Sequence, residues 1–137
     1  MHENSRLMYV KYALNHIPEG ARVLEIGPDQ FPSTYQRLSA DRRDSWSTID
    51  IHKNEKLTYT AESGYAFPIA DDSYDVVISG QVLEHVPSPT ETLRRVLRAA
   101  GFSLQRCPQL LAYIEFLNHA AKLPPHTFFG NYISIGV

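Results

Sequence analysis

One cysteine stands in 137 residues, at position 107. A lone thiol closes no intrachain disulfide and builds no Cys-based zinc site. Long hydrophobic runs are missing too. The best, Leu110 to Leu117, is cut by Glu115 and falls short of the roughly 18 apolar residues a membrane helix needs. The amino terminus, Met1-His2-Glu3-Asn4-Ser5, shows no basic-then-apolar leader pattern, so a cytoplasmic location is expected. Charge of one sign is not in surplus either. Thirteen Lys and Arg against fifteen Asp and Glu give a net −2, with no global pull toward nucleic acid or anionic membrane. What is there is ordinary globular material, 43% apolar and 20% charged, enough for one domain over residues 1–137 with a core of its own.

Along the chain, apolar residues at helical spacing predict a helix over residues 5–17. Leu7, Val10, Leu14 and Ile17 share its inner face, Asn4 or Ser5 caps it, and Pro18 and Gly20 end it. Residues 21–27 then read as a short buried strand running into a turn, with a short helix over 33–40. Further strands are expected at 46–51, at 57–60 and at 75–79, the last apolar on both faces as in the middle of a parallel sheet. Residues 61–74 carry turn chemistry. Ser88-Pro89-Thr90-Glu91 predicts a helix start with a capping box; Leu93, Val96 and Leu97 form the apolar face and Gly101 the stop. Beyond it, Phe102 to Arg106 reads as a strand, 109–122 as a helix, and Phe128 to Val137 as a closing strand kinked at Gly130. Strand–turn–helix alternation argues for an α/β fold with a mostly parallel sheet. In such sheets ligands sit beyond the C-terminal strand ends, which singles out Gly27, Asp50, Ser63-Gly64 and Ser79-Gly80.

Asp50, at the tip of the second strand, follows Gly27 at about the 20-residue spacing of a ribose-binding acid. One carboxylate can accept hydrogen bonds from both ribose hydroxyls; a turn or cap residue is the plainer reading of the same aspartate. A dinucleotide needs Gly-x-Gly-x-x-Gly, whereas Gly27-Pro28-Asp29-Gln30-Phe31-Pro32 replaces the second and third glycines by Asp29 and Pro32. Asp29 would set a negative charge where two phosphates should lie. The P-loop pattern is absent as well. A phosphate-free, positively charged nucleoside ligand fits better, and S-adenosylmethionine is one.

Val23-Leu24-Glu25-Ile26-Gly27-Pro28 resembles the first motif of class I S-adenosylmethionine-dependent methyltransferases, of the type 11 kind. Asp50 is similar to their ribose-binding acid. Phe67 to Val77 resembles the turn leading through Asp-x-Ser-Phe-Asp into the fourth strand, Gln81-Val82-Leu83-Glu84-His85-Val86 the Leu-Glu-His stretch after it, and Leu93-Arg94-Arg95-Val96-Leu97 the next helix. The resemblance covers residues 21–98 and implies a Rossmann-like sheet with an antiparallel C-terminal strand and helices on both faces. It divides the domain into an N-terminal helix (1–20), a cofactor-binding half (21–98) and a shortened C-terminal half (99–137).

The resemblance also implies roles. Glu25 would attract the cofactor's ammonium, directly or through water, beside a bare backbone at Gly27. Asp50 would hold the ribose and Ile51 pack on the adenine. Ser63 stands where many members carry an acid for the adenine amino group, and Gly64 would offer an N–H to the ring. Gly80 and Gln81 would border the methyl donor. The reaction implied is methyl transfer to a small-molecule acceptor, S-adenosylhomocysteine being the product. No catalytic residue is assigned. His85 is the nearest general-base candidate, a helix-start histidine that positions its neighbours being the plainer reading; Glu84 shares the ambiguity. His16, His52, His119 and His126 are scattered and predict no metal site. Arg94, Arg95 and Arg98 read as a solvated helix face.

The pattern breaks after residue 98, where a Pro-Gly-Gly turn and a fifth strand are expected and Ala99-Ala100-Gly101-Phe102 stands instead. Either a fifth-strand segment is missing or Phe102 to Arg106 is a degenerate one. A shortened sheet exposes an edge, which favours a homodimer. Two rival readings follow: a non-catalytic methyltransferase-fold protein acting through a partner, and a nicotinamide-dependent oxidoreductase, which Asp29 and Pro32 disfavour.

Overall fold

The computed structural model describes residues 3–80, 82, 85–101 and 133–136. Four strands run parallel: β1 (Arg22–Ile26), β2 (Ser45–Asp50), β3 (Tyr59–Thr60) and β4 (Val76–Ser79). A fifth, β5 (Ile133–Gly136), lies antiparallel beside β4, giving the order β3-β2-β1-β4-β5. The mostly parallel sheet with an antiparallel closing strand is as expected. The expected strand at 102–106, the helix at 109–122 and the Gly130 kink lie outside the described residues.

Each face of the sheet has its own core, because side chains alternate along β1 and β4. Leu24, Ile26 and Val77 pack with Ile49, Phe67 and Tyr74 against Val96 and Ala99 of α3 (Pro89–Ala99) and against Ala100, which caps its C-terminus. Val23, Val76 and Ile78 pack on the other side against Tyr9, Ile17 and Tyr35. Tyr35 belongs to α2 (Thr34–Leu38), which Ser33 caps by accepting from the Gln36 N–H at 3.0 Å. Helices on both faces are therefore present.

The N-terminal segment differs from expectation. It is helical from Glu3, through α1 (Glu3–Met8), a π-helical turn (Tyr9–Ala13) and a 3₁₀ turn (Leu14–His16). Its inner face is Ser5, Tyr9 and Ile17, while Leu7 and Val10 are exposed. Tyr9 decides this. Its ring meets Tyr35 at 4.5 Å between centroids and its hydroxyl bonds Ser39 Oγ at 2.6 Å, so the phenol is satisfied inside the core. Ser5 is a buried residue of the helix rather than its cap.

Two further expectations are corrected. The third strand shrinks to two residues, because Thr48 and Thr58 instead exchange bonds between each backbone N–H and the other's hydroxyl, at 3.0 and 3.2 Å. No capping box forms at α3. Ser88 makes no side-chain cap bond, and its N–H, which Glu91 would have served, donates to the Tyr65 hydroxyl at 2.8 Å. The predicted apolar face of α3 is correct, with Leu93, Val96 and Leu97 at most 2% exposed. Gly101 ends the helix region at φ +74°.

Arg95 is not a solvated helix residue. Its guanidinium donates to Asp71 at 2.9 Å and to the carbonyls of Ile69 and Phe67, and lies 5.7 Å from the Phe67 ring centre. It thereby clamps the loop before β4 onto α3. Arg95→Ala is expected to cost about 1–2 kcal/mol of stability, at roughly 0.5–1.5 kcal/mol per net hydrogen bond. Arg94→Ala, on the exposed side of the same helix, is expected to be nearly neutral. Urea unfolding of both variants checks the contrast.

Candidate active site

The chain leaves β1 through Gly27, which has φ +68°. This is left-handed backbone that a side chain would strain. A Cβ there would also lie 2.6 Å from Val82 Cγ2 and 4.0 Å from Asp50 Oδ2. The Gly27 N–H donates to Ile49 O at 2.9 Å, which ties the tips of β1 and β2 together. Beyond the tips opens a cleft of about 250 Å³. Asp50 lines it from the end of β2, with Gly27 beside it; Ile26, Ile49, Ala61 and Phe67 supply apolar wall. Asp50 Oδ1 accepts from the His52 N–H at 2.8 Å, which fixes the carboxylate in a tight turn. Val86, His85 and Thr92 close the far side, and Thr92 Oγ1 donates to Gly64 O at 3.0 Å. A second hollow, about 280 Å³ between α2 and the start of β2, lies away from the strand tips.

A family model described as a methyltransferase domain matches residues 29–102, more than half of the chain. The chain belongs to the methyltransferase domain family. An uncharacterized methyltransferase of Mycobacteroides abscessus is 33% identical over 100 residues, covering 62% of this chain and 39% of the relative. One from Mycobacterium ulcerans is 30% identical over 97 residues, at 62% and 38% coverage. The chain therefore spans about two fifths of the length of these relatives. Among solved structures, the complex between the Haloferax volcanii Trm112 methyltransferase activator and its proposed methyltransferase offers a similar chain. The TM-score is 0.51 at 19% identity, over 70% of this chain and 51% of that one, a likeness of fold.

Within this methyltransferase domain, Gly27, Asp50, Ile51, Gly64 and His85 meet at the cleft. Three other residues singled out in the sequence do not line it. The Ser63 hydroxyl accepts from the Tyr65 and Ala66 N–H groups, both at 3.2 Å, and so serves its own turn. Gly80 is buried against Tyr35, whose hydroxyl would lie 2.9 Å from a Cβ there. Glu25 is 1% exposed and accepts from Ser33 Oγ and from Trp46 Nε1 at 2.8 Å. Burial pushes its carboxyl up to about 7; the bonds from Ser33 and Trp46 pull it down, and nearby Asp29 adds to the rise. Gln81 and Glu84 lie outside the described residues.

Asp29 is a structural acid. Its two oxygens accept from the Thr34 N–H at 2.9 Å and the Thr34 hydroxyl at 2.7 Å, at the first turn of α2. Burial raises its pKa, but these bonds outweigh burial and hold the group below the usual carboxylate range. His52, Phe67, Val86 and Thr92 also line the cleft, beyond the residues that the sequence pattern singles out. His52 had a signal, since it follows Asp50 by two, the spacing of an Asp turn. Thr92 had one too, as a polar residue beside Leu93 on the inner side of α3. Among the described residues no group of three His, Cys, Asp or Glu could hold a metal ion, and no helix is long and apolar enough to cross a membrane.

Gly27→Ala is expected to lose about 1–2 kcal/mol through the left-handed backbone alone. The new methyl would also press on Val82 at the cleft. Thermal unfolding should show the loss.

Proposed function

We propose that this chain binds S-adenosylmethionine in the strand-tip cleft and transfers its methyl group to a small-molecule acceptor. The observation that carries the reading is the juxtaposition of Asp50 with left-handed Gly27 at neighbouring strand ends, over one apolar-walled cleft. The residues fit the cofactor's nucleoside part. The cleft is slightly below the roughly 300–1,000 Å³ of drug-sized pockets, the size for one nucleoside rather than two. Asp50 offers an acceptor to ribose hydroxyls, exposed Ile51 an apolar flank, and Ala61 and Phe67 a wall for a flat base.

When bound, S-adenosylmethionine supplies a sulfonium methyl open to in-line attack by an O, N or C nucleophile. Such transfer consumes positive charge, so the chain's main tasks are alignment and exclusion of water. The aliphatic lining of Ile26, Ile49 and Val82 serves the second. His85, with its backbone N–H held by Val82 O at 2.9 Å, places an imidazole at the cleft where it can accept a proton from an acidic acceptor group. A homodimer through an open sheet edge belongs to the same proposal.

Two measurements test it. Calorimetry should show saturable binding of S-adenosylhomocysteine, and methyl-labelled S-adenosylmethionine should label a product in a metabolite extract. Binding without any labelled product would favour a non-catalytic, partner-dependent role. Saturable NADH binding with no S-adenosylhomocysteine binding would overturn the reading.

A further inference from the structure

We infer that Glu25 is a positioning residue: its carboxylate stays out of the cleft and staples the Gly27–Pro32 turn by holding Ser33 and Trp46 at once. The inference rests on the cofactor reading above and gives Glu25 a different task from direct contact with an ammonium group. The alternation along β1 sets its direction. Leu24 and Ile26 belong to the core beside the cleft, Val23 to the opposite one, and Glu25 shares the side of Val23. Trp46, its partner on β2, packs against that same opposite core.

Both hydrogen bonds arrive on one carboxylate oxygen. Ser33 is fully buried, and its hydroxyl also caps α2. Glu25 therefore ties the entry to α2 to the strand that ends in Asp50. The intervening turn, which sets Gly27 at the cleft, becomes a closed loop. Asp29 pins that loop to α2 a second time through Thr34. An acid in this place shapes the cleft from behind.

The test compares two probes by calorimetry. S-adenosylhomocysteine carries an ammonium; adenosine carries none. Glu25→Gln keeps one oxygen that can accept both bonds, loses the charge and exchanges the other oxygen for an NH2 group, whereas Glu25→Ala removes the staple. The staple predicts that Glu25→Gln stays within about threefold of wild type for both probes, and that Glu25→Ala loses about tenfold for both. Ser33→Ala, a smaller change that spares the fold if Glu25→Ala does not, should weaken both probes alike. Added to Glu25→Ala it should bring little further loss, since the two share one interaction. An ammonium contact predicts the opposite pattern: Glu25→Gln loses S-adenosylhomocysteine and keeps adenosine. That result, or full affinity in both Glu25→Ala and Ser33→Ala, overturns the inference while leaving the cofactor reading intact. Wild-type protein that binds neither probe removes both.

Discussion

Asp50→Ala is expected to weaken S-adenosylhomocysteine binding by about 1.5–3 kcal/mol, the range for hydrogen bonds to a charged group, or roughly ten- to 150-fold. The carboxylate lines the cleft at the end of β2, and one of its oxygens is engaged by the His52 N–H. Each oxygen can accept more than one bond, so the group keeps capacity for a pair of ribose hydroxyls. Asp50→Asn should fall between wild type and alanine, because an amide retains one acceptor oxygen and loses the charge. The fold should survive both changes, since the strand bonds of Asp50 are backbone bonds, including Ala61 N–H to Asp50 O at 2.8 Å. Unchanged affinity by calorimetry would remove the ribose assignment.

The second large effect is a dependence of stability on pH that Glu25 should dominate. Its ordinary value is 4.5 and the fold moves it to about 7, chiefly by burial. The folded state thus holds this proton more tightly than the unfolded chain does. Stability from this group is full below about pH 4.5, falls as pH rises to about 7, and is flat above. At about 1.4 kcal/mol per unit, the loss is of order 3 kcal/mol. The charge of nearby Asp29 adds to that rise. Asp29's own carboxyl, which burial raises but the Thr34 bonds hold below the ordinary value, contributes stability of the opposite sign, lost as pH falls. Tyr9 of the N-terminal segment, itself pushed up to about 12 chiefly by burial, stays neutral across the range. Glu25→Gln cannot ionise. Urea unfolding at several pH values should show variant and wild type close together at pH 4.5, with the variant ahead by up to about 3 kcal/mol at pH 8. Parallel curves would mean that Glu25 titrates as an ordinary carboxyl.

Much of the frame could be read from residue order. Strand–turn–helix alternation argues for a parallel sheet, and Leu93, Val96 and Leu97 for the buried face of α3. What escaped reading depended on partners far apart in the chain. The inner face of the N-terminal segment turns on Tyr9 finding Ser39, thirty residues away, and periodicity alone favoured the aliphatic Leu7 and Val10. The capping box was displaced by Tyr65, which reached the Ser88 N–H from another loop. Arg95 looked solvated because its neighbours Arg94 and Arg98 are; its bonds to Asp71, Phe67 and Ile69 come from the loop before β4. At the cleft, residues at strand tips were legible from topology, as Gly27 and Asp50 show. Glu25 and Gly80 sit near tips too, but the sheet's pleat turns the first toward Trp46, and the second is closed in by Tyr35. Position along a strand predicts the rim; only the pleat and the neighbouring helices decide which face a side chain serves.

Trp46 is the chain's one tryptophan, and its indole nitrogen is bonded to Glu25. The protein therefore carries a built-in optical reporter beside the turn that shapes the cleft. Its emission needs no dye and suffers no overlap from a second indole. A spectrum recorded while ligand is added would read the seat of α2 directly, and a spectrum recorded while denaturant is added would read the first parallel strand pair coming apart.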